Sequence, residues 1–510
     1  MTEYHLIRRP SVSNFMRILK RWKLIVSFII ILLIMYFLIN KKTKIERLKE
    51  IYKFQESIKE VLNLEIKYMA KRMTPEYDKW TEANNIDGHI YSSYFDTRPE
   101  IIINYNHQWK KVTWAEIRII AILPNNIEIN NIECIFKYET NQRNIIYKKN
   151  IITSINLINE NWNLKYSAAF IICDLSYLFK KNFNYFYDVK QLPESIGIQA
   201  KNNINSNINF IDIHYPKYGI EKFDRKYDKF MAVCVPVFDH KFNRPLELIE
   251  FIEYYKLMGV DHFTFYNSSI TSDVNRVLEH YKYNDYLYSY DILNWTLPSQ
   301  YIYEQTLRKE GLFAALNDCL YRNTIDYNYR YTGVFDIDEF LVPKKYNNFN
   351  DLMNYLDNNK TDNTASFLFR NVYFYTMYED RNKQEQPYLY TRAKTKRLKK
   401  PHEPRDRSRY IVQGQNTVEI GNYNTWKLRD GSLMNKKNYF NEISVDPEVA
   451  LLHHYAPCEA EETGCYLKGI IEDNTAQRFS DKLGQRVTKI CSIIYGEKGC
   501  PLPVKRFNGS

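Results

Sequence analysis

The chain has 510 residues, enough for two or three domains and far beyond the length at which a buried core is hard to build. Lys and Arg number 71 against 60 Asp and Glu, a formal +11, but residues 1–50 hold eleven of the basic residues against three Glu and so carry most of it. The near-neutral remainder excludes a general nucleic-acid binder, and 44 Tyr and 28 Phe against 15 Gly and 17 Pro exclude collagen-like, linker-like and low-complexity classes.

Residues 24–39 read LIVSFIIILLIMYFLI between two basic flanks. At ~1.5 Å per residue this run spans about 24 Å, which suits a thin membrane. No small-residue cleavage pattern follows, so the expectation is a single uncleaved transmembrane helix after a cytoplasmic tail at 1–23, rather than a signal peptide. Lys and Arg are balanced on the two sides and give no orientation. All eight Cys (134, 173, 234, 319, 458, 465, 491, 500) lie beyond the run, as do acceptor sequons at Asn267, Asn294, Asn359 and Asn508, which favours an oxidising lumen. The absence of CxxC pairs argues against structural zinc.

Residues 40–86 begin with a charged segment of helical period (Ile45, Leu48, Ile51, Phe54, Ile58). It reads as a stem or as an amphipathic helix packing on the body or on its copy in a homodimer. Residues 87–225 hold short β-rich runs such as 116–122 and 169–173 between Asn-rich turns, and predict an antiparallel accessory region. From 226 to 500 strands alternate with helices, the mark of an α/β layer. In order these are a strand at 230–238, a helix at 246–258 closed by Gly259, a strand at 262–266, a helix at 274–283 and a strand at 286–293. A long helix at 304–322 and a strand at 331–335 follow. That last strand runs into Asp336-Ile337-Asp338-Glu339-Phe340.

Ligands of open parallel sheets bind at the carboxyl ends of the strands, and this end is acidic. If the extended geometry persists, Asp336 and Asp338 project to one side, where two carboxylates repel unless a cation joins them. Such oxygen ligands suit Mg²⁺ or Mn²⁺, which retain positions for phosphate oxygens. A solvated strand end is the plain alternative for an isolated Asp-x-Asp.

The ordered set Cys234-Val235-Pro236-Val237-Phe238, Glu250-Phe251-Ile252-Glu253-Tyr254-Tyr255 with Gly259-Val260-Asp261-His262-Phe263, Asn317-Asp318-Cys319-Leu320 and Asp336-Ile337-Asp338-Glu339-Phe340 resembles glycosyltransferase family 92 over about residues 229–469. The resemblance implies a single-pass type II Golgi membrane protein with a luminal GT-A (Rossmann-like) domain. Its implied activity is inverting transfer, most readily of galactose from UDP-galactose, to a glycan acceptor of glycoproteins or glycolipids with Mn²⁺ (or Mg²⁺). Carried onto this chain, Asp336 and Asp338 would hold the metal against the UDP-sugar diphosphate. His454, in Leu451-Leu452-His453-His454-Tyr455, would be a third ligand, since alternation lets only one of the two imidazoles face the site. Pro236, Val237 and Asp239 would border the nucleotide, with Asn317 and Asp318 near the donor or else serving caps and core packing. Glu379 and Asp380, after an apolar strand at 367–374, are candidates for the general base. Residues 394–409 carry eight basic and two acidic side chains and read as a lid over the diphosphate or as a solvated loop. Where the family pattern has a Val-x-Pro stretch and a His after this segment, this chain has Ile411-Val412-Gln413-Gly414-Gln415, which leaves a catalytically silent glycan-binding or scaffolding protein as the alternative.

Overall fold

The computed structural model describes residues 69, 78–96, 116–139, 145–158, 160–175, 192–201, 207–216, 229–303, 305–359, 363–381, 387–429, 440–458, 465 and 469–503. The expected tail, the anchor at 24–39 and most of the expected stem lie outside them. Among the described residues no helix is long and apolar enough to cross a membrane.

The β-rich region is one eight-stranded sheet of β1 (Thr81–Glu82), β2 (His89–Asp96), β3 (Glu116–Pro124), β4 (Ile132–Glu139), β5 (Ile145–Leu157), β6 (Tyr166–Asp174), β7 (Ser195–Ala200) and β8 (Ile211–His214). Its order is β1-β2-β3-β6-β5-β4-β7-β8, and β8 pairs back onto β2, which satisfies an edge that would otherwise be open. The Ile-rich β3 is buried along almost its whole length, so both of its faces are covered. A disulfide joins Cys134 on β4 to Cys173 on β6. Trp80, inside the segment expected to be stem, packs 5.0 Å from both Tyr91 and Trp295, so the folded body already includes residues 78–86.

The α/β region opens with β9 (Lys229–Cys234), α1 (Pro245–Leu257), β10 (His262–Asn267), α2 (Ser272–Asn284), β11 (Ser289–Asn294), α3 (Leu312–Tyr321) and β12 (Tyr329–Val334). It continues with β13 (Glu339–Pro343), α4 (Phe349–Asn359), β14 (Thr364–Phe369), β15 (Asn371–Tyr375), α5 (Tyr390–Ala393), β16 (Lys396–Leu398), β17 (Arg409–Gln413), β18 (Thr417–Ile420), β19 (Thr425–Leu428), β20 (Asn441–Ser444), β21 (Ala450–Ala456), β22 (Ile470–Glu472) and α6 (Ser480–Tyr495). The main sheet runs β11-β10-β9-β12-β17-β14-β20, with β11, β10, β9 and β12 mutually parallel. The chain winds outward from β9 through β10 to β11, then crosses to place β12 on the other side of β9. The carboxyl ends of β9 and β12 therefore flank a topological switch point, where α/β sheets open a crevice.

Three sequence expectations are corrected here. The long helix expected from 304 starts only at Leu312, because Lys309 and Gly311 adopt left-handed backbone (φ 43° and 72°) that no helix continues through. The apolar run at 367–374 is two strands in different sheets, split at Arg370, whose guanidinium turns aside to donate to His402 O at 2.6 Å and Pro401 O at 3.0 Å. The basic segment at 394–409 is solvated only in its middle, where Lys399, Lys400 and residues 403–406 are exposed, while Lys394, Arg397 and Arg409 are buried and hydrogen-bonded. All eight Cys pair; besides the first bridge these are Cys234–Cys319, which ties β9 to α3, Cys458–Cys465 and Cys491–Cys500.

Candidate active site

β12 ends one residue before Phe335, whose N–H still donates to Cys234 O of β9 at 3.3 Å. Beyond it the chain turns: Glu339 N–H donates to Asp336 O at 3.0 Å, and Asp336 N–H donates to Glu339 Oε2 at 2.9 Å. Asp336 and Asp338 thus occupy a tight turn and not the continuous strand that alternation assumed. Each carboxylate meets an arginine from a distant segment. Arg409, at the start of β17, pairs with Asp336, and Arg244, just before α1, reaches Asp338 Oδ2 at 3.1 Å. Arg409 also donates from Nε to Glu339 Oε2 at 2.5 Å. Burial pushes the Glu339 carboxyl up to about 8 against the pull of Arg409.

β13 and β21 pair antiparallel, with Glu339 opposite His454 and Phe340 opposite His453. This register brings His454 Nε2 to 3.5 Å from Asp338 Oδ1. The imidazole is stacked on Tyr373 at 4.7 Å, and Asn371 Nδ2 lies 3.2 Å from its Nδ1. The alternate residue, His453, faces inward, stacks on Phe374 at 4.4 Å, and is held neutral by burial, which lowers it to about 4. His454 therefore approaches Asp338 at the switch point, while Asp336, two residues earlier on the same turn, is turned to Arg409. Among the described residues no three His, Cys, Asp or Glu side chains are gathered closely enough to hold a metal ion. Of the residues here, Asp338 and His454, with Asp336 on the same turn, are those that could serve as ligands to a divalent ion.

Pro236, Val237 and Asp239 lie at the carboxyl end of β9, on the crevice side of the sheet, with Pro236 buried and the other two half-buried. Asn317 and Asp318 are elsewhere. Asn317 is fully buried and exchanges hydrogen bonds with the Ile420 backbone, its Nδ2 donating to O at 2.9 Å and its Oδ1 accepting from N at 3.0 Å. Asp318 accepts from Tyr94 and Tyr266 at 2.6 Å each, and from Ser92. Both are committed to the core, so the structure does not bring them to the acidic turn. Glu379 pairs with Lys396 at 3.0 Å and Asp380 with Lys394 at 2.5 Å. Residues that sequence reasoning missed are Arg244, Arg409 and Lys309. Partial desolvation and then Arg308 lower the Lys309 ammonium, while Asp336 pulls it the other way, so this lysine stands within electrostatic reach of the turn.

An α/β body whose switch point carries an acidic turn held by Arg244 and Arg409 is of the class that binds ligands at the carboxyl ends of its strands. The chain belongs to glycosyltransferase family 92, whose model matches residues 229–488. Beta-1,4-galactosyltransferase galt-1 of Caenorhabditis elegans is 27% identical over 165 residues, which cover 30% of this chain and 36% of that protein. The match thus spans little more than a third of that relative's length. Solved structures similar to this chain include HddC from Yersinia pseudotuberculosis (TM-score 0.23, 10% identity, 50% of this chain and 99% of that one). Another is the mannosyltransferase Ktr4p from S. cerevisiae in complex with GDP (TM-score 0.18, 14% identity, 29% of this chain and 41% of that one). At these scores the likeness is too slight to define a common fold.

Proposed function

We propose that the protein is a metal-dependent inverting glycosyltransferase of GT-A type that moves galactose from UDP-galactose onto a glycan acceptor of glycoproteins or glycolipids. The observation that carries this reading is the approach of His454 to Asp338, 3.5 Å apart, on the acidic turn that also carries Asp336, at the switch point of a family 92 chain. The name of the Caenorhabditis elegans relative supports galactose as the transferred sugar. Asp336, Asp338 and His454 are the residues that would hold Mn²⁺ or Mg²⁺, which when bound offsets the negative charge gathering on the departing diphosphate. Arg409 and Arg244 fix the two aspartates in place and set positive charge beside the same crevice. In the transfer an acceptor hydroxyl oxygen bonds to the anomeric carbon, the bond from that carbon to the diphosphate breaks, and the hydroxyl proton passes to a base. Four disulfides suit an oxidising lumen, and with the apolar run at 24–39 they support a Golgi type II placement.

The test is UDP release from UDP-galactose by the full-length chain with Mn²⁺ and a panel of glycan acceptors. Chelation should stop release and added Mn²⁺ restore it. Asp338→Ala should lower the rate at least ~100-fold with an unchanged melting temperature. Full activity in that variant would refute the assignment, and glycan retention without any UDP release would favour the scaffolding alternative.

A further inference from the structure

The tightest cation–aromatic contact among the described residues lies outside the acidic turn. The connection between β5 and β6 carries Trp162, which is 64% exposed although it is the largest kind of apolar side chain. It is held outward by an uncommon backbone: Glu160, Trp162 and Asn163 have φ of 60°, 56° and 56°. Left-handed backbone at a bulky residue costs free energy that persists only where surrounding contacts enforce it. Those contacts are Asn163 N–H to Asn161 Oδ1 at 3.0 Å, Leu164 N–H to Asn161 O at 3.1 Å and Tyr166 N–H to Thr306 O at 2.9 Å. Against the ring lies Arg308, its guanidinium carbon 3.7 Å from the centroid. The next residue is Lys309, the lysine that senses Asp336.

We propose that Trp162 of the β-rich region and Arg308 of the α/β region together form a platform for a pyranose ring of the acceptor glycan beside the transfer site. This rests on the glycosyltransferase reading. A pyranose presents an apolar C–H face that packs on an aromatic ring and a rim of hydroxyls that a guanidinium can bind. Arg308 braces one side of the indole and leaves the exposed remainder to the sugar. Lys309, next to Arg308, stands within electrostatic reach of Asp336, so an extended acceptor lying on the platform can direct its terminal hydroxyl towards the acidic turn.

The experiment is binding of full-length wild type, Trp162→Ala and Trp162→Phe to an array of N- and O-linked oligosaccharides with UDP and Mn²⁺ present. No turnover is needed, so the outcome is separate from the fate of the transferase reading, which the UDP-release assay decides. The expected result is glycan binding by the wild type, at least ~5-fold weaker in Trp162→Ala and largely restored in Trp162→Phe, with UDP affinity and melting temperature unchanged. Equal binding by wild type and Trp162→Ala, no oligosaccharide bound by the wild type, or a parallel loss of UDP affinity would overturn it.

Discussion

Arg409 satisfies four acceptors at once. Its Nε serves Glu339, its Nη1 serves Asn422 O at 2.7 Å and Oδ1 at 2.6 Å, and its Nη2 serves Asp336. The side chain is 2% exposed and so is that of Glu339, so loss of the guanidinium leaves Glu339 Oε2 without its side-chain donor and Asp336 without its counter-charge. Breaking such a pair costs about 3–5 kcal/mol, which is the expected loss for Arg409→Met in denaturant unfolding. Arg409→Lys should recover only part of it, because one ammonium cannot span Glu339 and Asp336 as a planar fork does. A loss below about 1 kcal/mol in Arg409→Met would show that the carboxylates do not depend on this residue. The same residues explain what the sequence made legible. Asp336, Asp338 and the choice of His454 over His453 follow from spacing within one short segment. Arg409 stands 73 residues from Asp336 and Arg244 stands 94 from Asp338, and topology rather than spacing pairs them. For Asn317 and Asp318 the sequence left donor contact and core packing both open, because a polar pair on a helix looks the same whether it faces a ligand or buried tyrosines, and the structure shows the core role.

At the level of elements, the alternation of strands and helices from 229 onward was legible because β9 and β10 are apolar runs bounded by turn residues. Breaks inside apolar stretches were not. The split between β14 and β15 depends on Arg370 reaching two carbonyls from a segment about thirty residues on. The late start of α3 depends on left-handed backbone just before it. A comparable close fit sets the strand that leads to the acidic turn. A Cβ at Gly333, on β12, would lie 2.5 Å from Phe335 Cε2 and 2.9 Å from Met231 Cε. The Phe335 ring cannot swing away freely, since it stacks on Tyr255 at 4.9 Å within the core. Gly333→Ala should therefore cost about 1–3 kcal/mol by overpacking, read as a lower melting temperature. It should also lower UDP release, because Phe335 directly precedes Asp336. An unchanged melting temperature would mean that the neighbours repack without loss.

Across the whole molecule, the β-rich and α/β regions share one core rather than meeting at a wet interface. Tyr91, Ile120 and Phe170 from the first pack with Trp295, Leu316 and Tyr410 from the second. At its edge lies a charge network: Asp318 binds Tyr94, Tyr266 and Arg322, Arg322 pairs with Asp78, and Asp78 meets His214 on β8 at 3.1 Å. On its other side His214 Nδ1 is 2.7 Å from Asp326. Burial by itself would lower the imidazole, but Asp326 and Asp78 more than offset it and raise His214 to about 10. A folded-state value above the unfolded value of 6.5 means that the native protein binds the proton more tightly. The stabilisation is then fully present below about pH 6.5 and is lost progressively as pH rises towards about 10. The wild-type melting temperature should fall over that interval. His214→Gln, which keeps a donor but cannot titrate, should be less stable than the wild type near pH 6 and approach it near pH 10. Because the core is shared, both regions should melt in one transition in either form. A difference between wild type and variant that stays constant from pH 6 to 10 would show that His214 is not charged in the native state, and two separate transitions would show that the network does not join the regions.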